Sequence, residues 1–103
     1  MIGLSFLDQS PAVRGVPHDA VIREAVAFAR SCERMGFRRY WLAEHHNGAA
    51  NIGSAPEILV AAIAARTRTI RVGSAGVLLS HYAPLKVAEQ FRVLEALAPG
   101  RID

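Results

Sequence analysis

Three times along this chain, a short apolar run is followed by a polar loop and then an amphipathic helical stretch, at a spacing of about thirty residues. No other feature limits the fold so tightly. Strands joined through helices return to the same sheet in parallel, with the helices on its face. The repeat therefore predicts an α/β fold with element order β-α-β-α-β-α, three adjacent parallel strands and right-handed crossovers. The second strand is the clearest. In Tyr40-Trp41-Leu42-Ala43-Glu44-His45-His46-Asn47 an apolar, aromatic-led run stops abruptly at a carboxylate, two imidazoles and an amide. Titratable groups at the end of a buried strand place chemistry at the carboxyl edge of a sheet.

The flanking units follow the same grammar. Residues 2–7 read as the first strand, and Asp8 and Gln9 open the loop behind it, as substrate contacts or as a plain turn. Asp19 is placed to cap a helix whose stripe is Val21, Ala25, Phe28, Cys32 and Met35, closed by Gly36. Ser54-Ala55-Pro56-Glu57 is a helix-start signal with Ser54 as the cap, and Ile58, Leu59, Ala62 and Ile63 form the second stripe. Residues 70–79 begin as a third strand, but Gly73-Ser74-Ala75-Gly76 has poor strand propensity. That composition suits a bulge, a close ligand approach or a weakened strand end, and it is no dinucleotide fingerprint. Pro84 opens a third helix with a stripe of Leu85, Ala88, Phe91, Leu94 and Leu97. Arg101-Ile102-Asp103 approaches a fourth strand.

Composition narrows the classes. Eleven of the twelve basic residues are arginine, but they are spread along the chain without interleaved aromatics, which reads as solvated helix faces and not as a nucleic-acid surface. The lone Cys32 excludes an internal disulfide and falls on a helix stripe as a buried thiol. The amino-terminal apolar run meets Asp8 too early for a signal peptide or a membrane span, so the expected location is the cytoplasm. In an extended backbone, His45 shares a face with Trp41 and Ala43, and Glu44 and His46 share the other with Tyr40 and Leu42. Imidazole and carboxylate are common metal ligands, so Glu44, His45 and His46 also allow a metal-dependent reading. The divergence of neighbouring strand residues counts against it.

Trp41-Leu42-Ala43-Glu44-His45-His46-Asn47, Ser54-Ala55-Pro56-Glu57, Arg71-Val72-Gly73-Ser74-Ala75-Gly76-Val77, Pro84-Leu85-Lys86-Val87-Ala88-Glu89-Gln90-Phe91 and Pro99-Gly100-Arg101-Ile102-Asp103 together resemble the bacterial luciferase-like family. These are flavin-dependent monooxygenases built on a (β/α)8 TIM barrel. The resemblance implies that residues 1–103 are the amino-terminal portion of such a domain, its first three βα units, since a closed barrel needs about 250 residues. It implies reduced FMN, supplied by a separate flavin reductase, with O2 and a small organic substrate; the deazaflavin F420 is the cofactor alternative. It assigns His45 as the catalytic acid/base, with Glu44 and His46 orienting the site. It sets Ser74, Ala75 and Gly76 against the flavin ring, with a cis peptide expected between Ala75 and Gly76 where the complete barrel enforces it. The full-length form is expected to be a homo-oligomer. The alternative is an inactive truncated fragment, acting at most as an association module, with open strand edges that favour aggregation.

Overall fold

The computed structural model describes all 103 residues. Its elements are β1 (Ser5–Asp8), α1 (His18–Arg34), β2 (Arg39–Leu42), α2 (Pro56–Arg66), β3 (Arg71–Ser74) and α3 (Pro84–Leu97), with a short 3-10 turn at Leu79–His81. The three strands form one parallel sheet in the order β1-β2-β3. The register aligns Phe6, Tyr40 and Val72 in one row and Leu7, Trp41 and Gly73 in the next. Beyond β3, Ile102 already pairs in parallel with Val72, so the expected approach to a fourth strand is present.

Side-chain alternation divides the sheet into two faces. On the helix side, Tyr40, Leu42 and Val72 are buried against Ala29 and Cys32 of α1, Val60, Ile63 and Ala64 of α2 and Leu94 of α3. Phe6 joins this layer, stacked on Tyr40 at 5.4 Å and edge-on to Phe28 at 4.8 Å. The opposite face carries Leu7 and Trp41 and, at its amino-terminal end, Arg39 and Arg71. Both arginines hold Asp103, with Arg39 Nε at 3.0 Å and Arg71 Nε at 2.8 Å from Oδ2. The Arg71 bond, the largest influence, and then the Arg39 bond hold the Asp103 carboxyl below its usual range against the opposing effect of burial. Gly73 is required beside this cluster, because a Cβ there would lie 2.2 Å from the Asp103 carbonyl oxygen.

Helix ends follow backbone chemistry more than side-chain capping. Helix α1 closes through Gly36 at φ 84°, with Phe37 N–H donating to the Cys32 carbonyl and Gly36 N–H to that of Glu33. Pro56 and Pro84 occupy first-turn positions as expected, but neither Ser54 nor Asp19 caps a helix by its side chain; the residues preceding the helices are Ala55 and Pro17.

Two expectations need correction. The third strand pairs only over Arg71–Ser74, and its ladder ends where Ala75 N–H reaches the Leu42 carbonyl. In this chain every peptide bond is trans, including the one between Ala75 and Gly76, whose cis form is an expectation for the complete barrel. The helix stripes are also narrower than their periodicity suggests. Ile58, Leu85 and Leu97 are 66%, 71% and 72% exposed, because each helix meets the sheet or its neighbour along only part of its apolar face.

Candidate functional site

The carboxyl ends of the strands are tied together by backbone before any side chain acts. Ala43 N–H donates to the Asp8 carbonyl at 3.0 Å, and His45 N–H to that of Gly53 at 2.8 Å. The loops behind β1 and β2 then pair with each other, through Ile52 N–H to Ser10 and Ala12 N–H to Ala50. Ser10 (φ 46°) lies in the seam, and a Cβ on Gly53 would stand 2.7 Å from its Oγ, which is why that position is glycine. Asp8, read from sequence as a substrate contact or a plain turn, instead serves the scaffold. It accepts the Tyr40 hydroxyl at 2.7 Å and the Ser10 N–H at 2.6 Å. Burial first, and then the Asp8 bond, push the Tyr40 phenol far above its ordinary range, so it remains a neutral donor.

Past the last paired residue of β2, burial continues to alternate. Tyr40, Leu42 and Glu44 are buried, whereas Trp41, Ala43 and His45 are half-buried, which agrees with the facing read from the sequence. The two neighbouring imidazoles therefore have different surroundings. His45 keeps Nε2 buried with no hydrogen-bond partner. His46 brings Nε2 to 2.6 Å from Glu44 Oε2, and the chain then turns at Asn47 with φ 54°, a conformation asparagine tolerates. The same Glu44 oxygen receives the Tyr82 hydroxyl at 3.0 Å. Glu44 and His46 thus meet as a pair and His45 stands apart, and no group of three or more potential ligands converges as a metal site would need.

On the face of Leu7 and Trp41, these two residues with Ser74 and Ala75 line an open hollow of about 330 Å³. The Ser74 hydroxyl donates to the Gly76 carbonyl at 2.7 Å and folds the segment back on itself. A Cβ on Gly76 would meet nothing within 4 Å. The result is a shallow apolar shelf with a small-residue rim, suited to one face of a planar ring system. The shelf and the unpartnered His45 nitrogen fit a flavin better than a metal.

Sequence reading passed over Tyr82 and His81 as loop residues. Their available signal was position: a phenol and an imidazole in the loop after β3, where barrel enzymes carry site residues.

Parallel strands that carry a carboxylate, imidazoles and a phenol at their carboxyl edge, beside an apolar shelf, have the arrangement found at the end of a βα barrel where such enzymes place their sites. Residues 2–103 match the luciferase-like monooxygenases, and the chain belongs to that family. It is 52% identical over 103 residues to the N-acetyl-S-alkylcysteine monooxygenase of Bacillus subtilis, covering 100% of this chain and 31% of that protein. The crystal structure of apo-MsnO8 superposes with a TM-score of 0.95 at 51% identity, over 100% of this chain and 31% of the other. The oxygenating constituent of 3,6-diketocamphane monooxygenase from Pseudomonas putida, a type II Baeyer–Villiger enzyme solved with FMN, gives 0.84 at 27% identity. That match covers 97% of this chain and 27% of the other. The chain thus spans about a third of the length of these relatives, and no helix is long and apolar enough to cross a membrane.

Proposed function

We propose that this chain provides the amino-terminal βα units and part of the active site of a flavin-dependent monooxygenase that uses FMN, O2 and a small organic substrate. The observation that carries the reading is the buried, unpartnered Nε2 of His45 at the carboxyl edge of the sheet, on the face that also holds the Leu7–Trp41–Ser74–Ala75 shelf. A buried imidazole nitrogen without a partner is disfavoured unless a ligand completes it. Bound reduced flavin supplies the electrons that activate dioxygen, one oxygen atom entering the substrate and the other leaving as water.

The residues of this chain supply binding and proton handling. The shelf of Leu7, Trp41, Ser74 and Ala75 would hold one face of the ring. Ala75 carries only a methyl group and Gly76 no side chain, so this segment would leave room for the ring's edge. His45 Nε2 is placed to donate and recover the proton that oxygen reduction demands, a task an imidazole can perform because its ring nitrogens can both give and accept a proton. Glu44 and His46 brace the strand end from the other side. FMN is favoured over the deazaflavin F420 by the FMN-bound relative at 27% identity. A separate flavin reductase is the proposed electron source, as the resemblance to the luciferase-like family implies.

The test compares His45→Ala with His46→Ala in the protein carrying the complete barrel, by FMN titration and by the rate at which the reduced, flavin-loaded protein consumes oxygen. An N-acetyl-S-alkylcysteine, the substrate class in the name of the 52% identical relative, is the first substrate to try. His45→Ala is expected to lower oxygenation by about two to four powers of ten with little change in FMN affinity. Near-normal turnover in that variant overturns the assignment, as does equal damage from His46→Ala.

A further inference from the structure

A second cluster at the carboxyl edge joins two loops on the side away from the shelf. Leu79–His81 form a 3-10 turn, in which His81 N–H donates to the Leu78 carbonyl and Tyr82 N–H to that of Leu79. This turn, followed closely by Pro84 at the start of α3, fixes the direction in which Tyr82 leaves the backbone. Its hydroxyl reaches Glu44 Oε2 at 3.0 Å, the oxygen that His46 Nε2 approaches at 2.6 Å. The Glu44 side chain is 1% exposed, and its Oε1 has no partner. A buried carboxylate with two donors on one oxygen and none on the other is held in place by those two donors.

The donors differ in kind. Burial, then the bond to Glu44, raise the Tyr82 phenol above its ordinary range, so it keeps its proton and can only donate to the carboxylate. An imidazole can present either nitrogen, and a fixed carboxylate selects which one carries the hydrogen. The His81 ring stands 4.7 Å from that of His46 at an angle of 55°, so the loop that holds the carboxylate also flanks the imidazole.

We propose that Tyr82 is a positioning residue: by pinning Glu44 it fixes His46 as the tautomer protonated at Nε2, with Nδ1 left free to accept a proton. The inference rests on reading His46 as part of the working site. It deepens that reading by making the loop after β3 responsible for the chemical state of a residue after β2.

The experiment reads the His46 ring nitrogens of the 15N-labelled chain by NMR, at a concentration where sedimentation shows the chain dissociated and under conditions where the ring is neutral. Wild type is expected to show the Nε2–H pattern almost alone. Tyr82→Phe keeps the ring and removes the hydroxyl that holds Glu44 in place, so the Nδ1–H form should gain, by up to about tenfold if the Glu44–His46 bond is lost with it. An unchanged nitrogen pattern in a variant whose amide spectrum remains native overturns the proposal. If that variant does not fold, the contact is tested from its other end, by following tyrosinate absorbance in Glu44→Gln. With the negative charge removed, Tyr82 should ionise at a lower pH than in wild type while Tyr40 stays silent, and an unmoved onset overturns the proposal. Neither readout involves flavin or turnover, so failure here is distinct from failure of the monooxygenase reading.

Discussion

Glu33, in the last turn of α1, offers a test of how the scaffold under the site is held together. Its Oε1 accepts the backbone N–H groups of Thr69 at 2.7 Å, Arg68 at 2.8 Å and Ile70 at 3.0 Å, and the Thr69 hydroxyl at 3.1 Å. Burial is the largest single influence on this carboxyl and pushes its pKa up. The four donors together outweigh it and bring the pKa from 4.5 down to about 2. Glu33→Gln keeps the shape and an acceptor oxygen but removes the charge. The depression corresponds to an upper limit of about 3 kcal/mol. The group lies close to solvent, so screening reduces the expected loss to about 1–2 kcal/mol, a fall in Tm of roughly 5–10 °C. The sign follows from linkage. A carboxyl with a lowered folded-state pKa contributes fully above its unfolded value of 4.5, and the contribution disappears as pH falls towards 2. Urea unfolding of wild type and variant, followed by the fluorescence of the single tryptophan, Trp41, should show a constant difference above about pH 5.5 that closes by about pH 2. Subtracting the two curves cancels the similar titration of Asp103. A difference that persists at pH 2, or is absent at pH 7, refutes the reasoning.

Three further outcomes are expected. Gly73→Ala places a methyl group against the Asp103 backbone and should destabilise the chain by about 2–3 kcal/mol, with the largest loss of amide-exchange protection at Val72 and Asp103. Tyr40→Phe leaves Asp8 Oδ2 without its buried donor, for a loss of about 1–3 kcal/mol in urea unfolding; a loss below about 0.5 kcal/mol would show that water replaces the phenol. The chain by itself should associate through the exposed edge of β1 and the apolar row of Leu85, Val93 and Leu97, and sedimentation showing a monomer at all concentrations would contradict this.

Much of the scaffold was legible because the signals are local. Gly36 at positive φ, Pro56 and Pro84 in first turns, and the abrupt end of β2 before Glu44 all follow from single-residue backbone preferences. The phase of the helix stripes was less legible. Periodicity shows that Ile58 or Leu97 lies on an apolar face, but not how much of that face a neighbour covers. The length of β3 was hidden for a related reason, because a strand ends where its partner stops offering carbonyls, here at Leu42. The site divided in the same way. Alternation predicted the separation of His45 from Glu44 and His46. Tyr82 reaches Glu44 across 38 positions, and the Glu33 clamp spans more than 30, and neither leaves any periodic trace.

The seam between the loops after β1 and β2 has a bearing on how such enzymes diversify. Pro11 bridges Asn51 in antiparallel fashion, the Asn51 side chain donates to the Gln9 carbonyl, and Ser10 fits only against a glycine at position 53. An insertion or deletion on one side of the seam shifts the register on the other, so length changes in the two loops must arise in matched pairs. Away from Ser10, Asn51 and Gly53 the composition of these loops is less constrained than their lengths, so new specificities at this rim should emerge by exchange of side chains and not by loop growth.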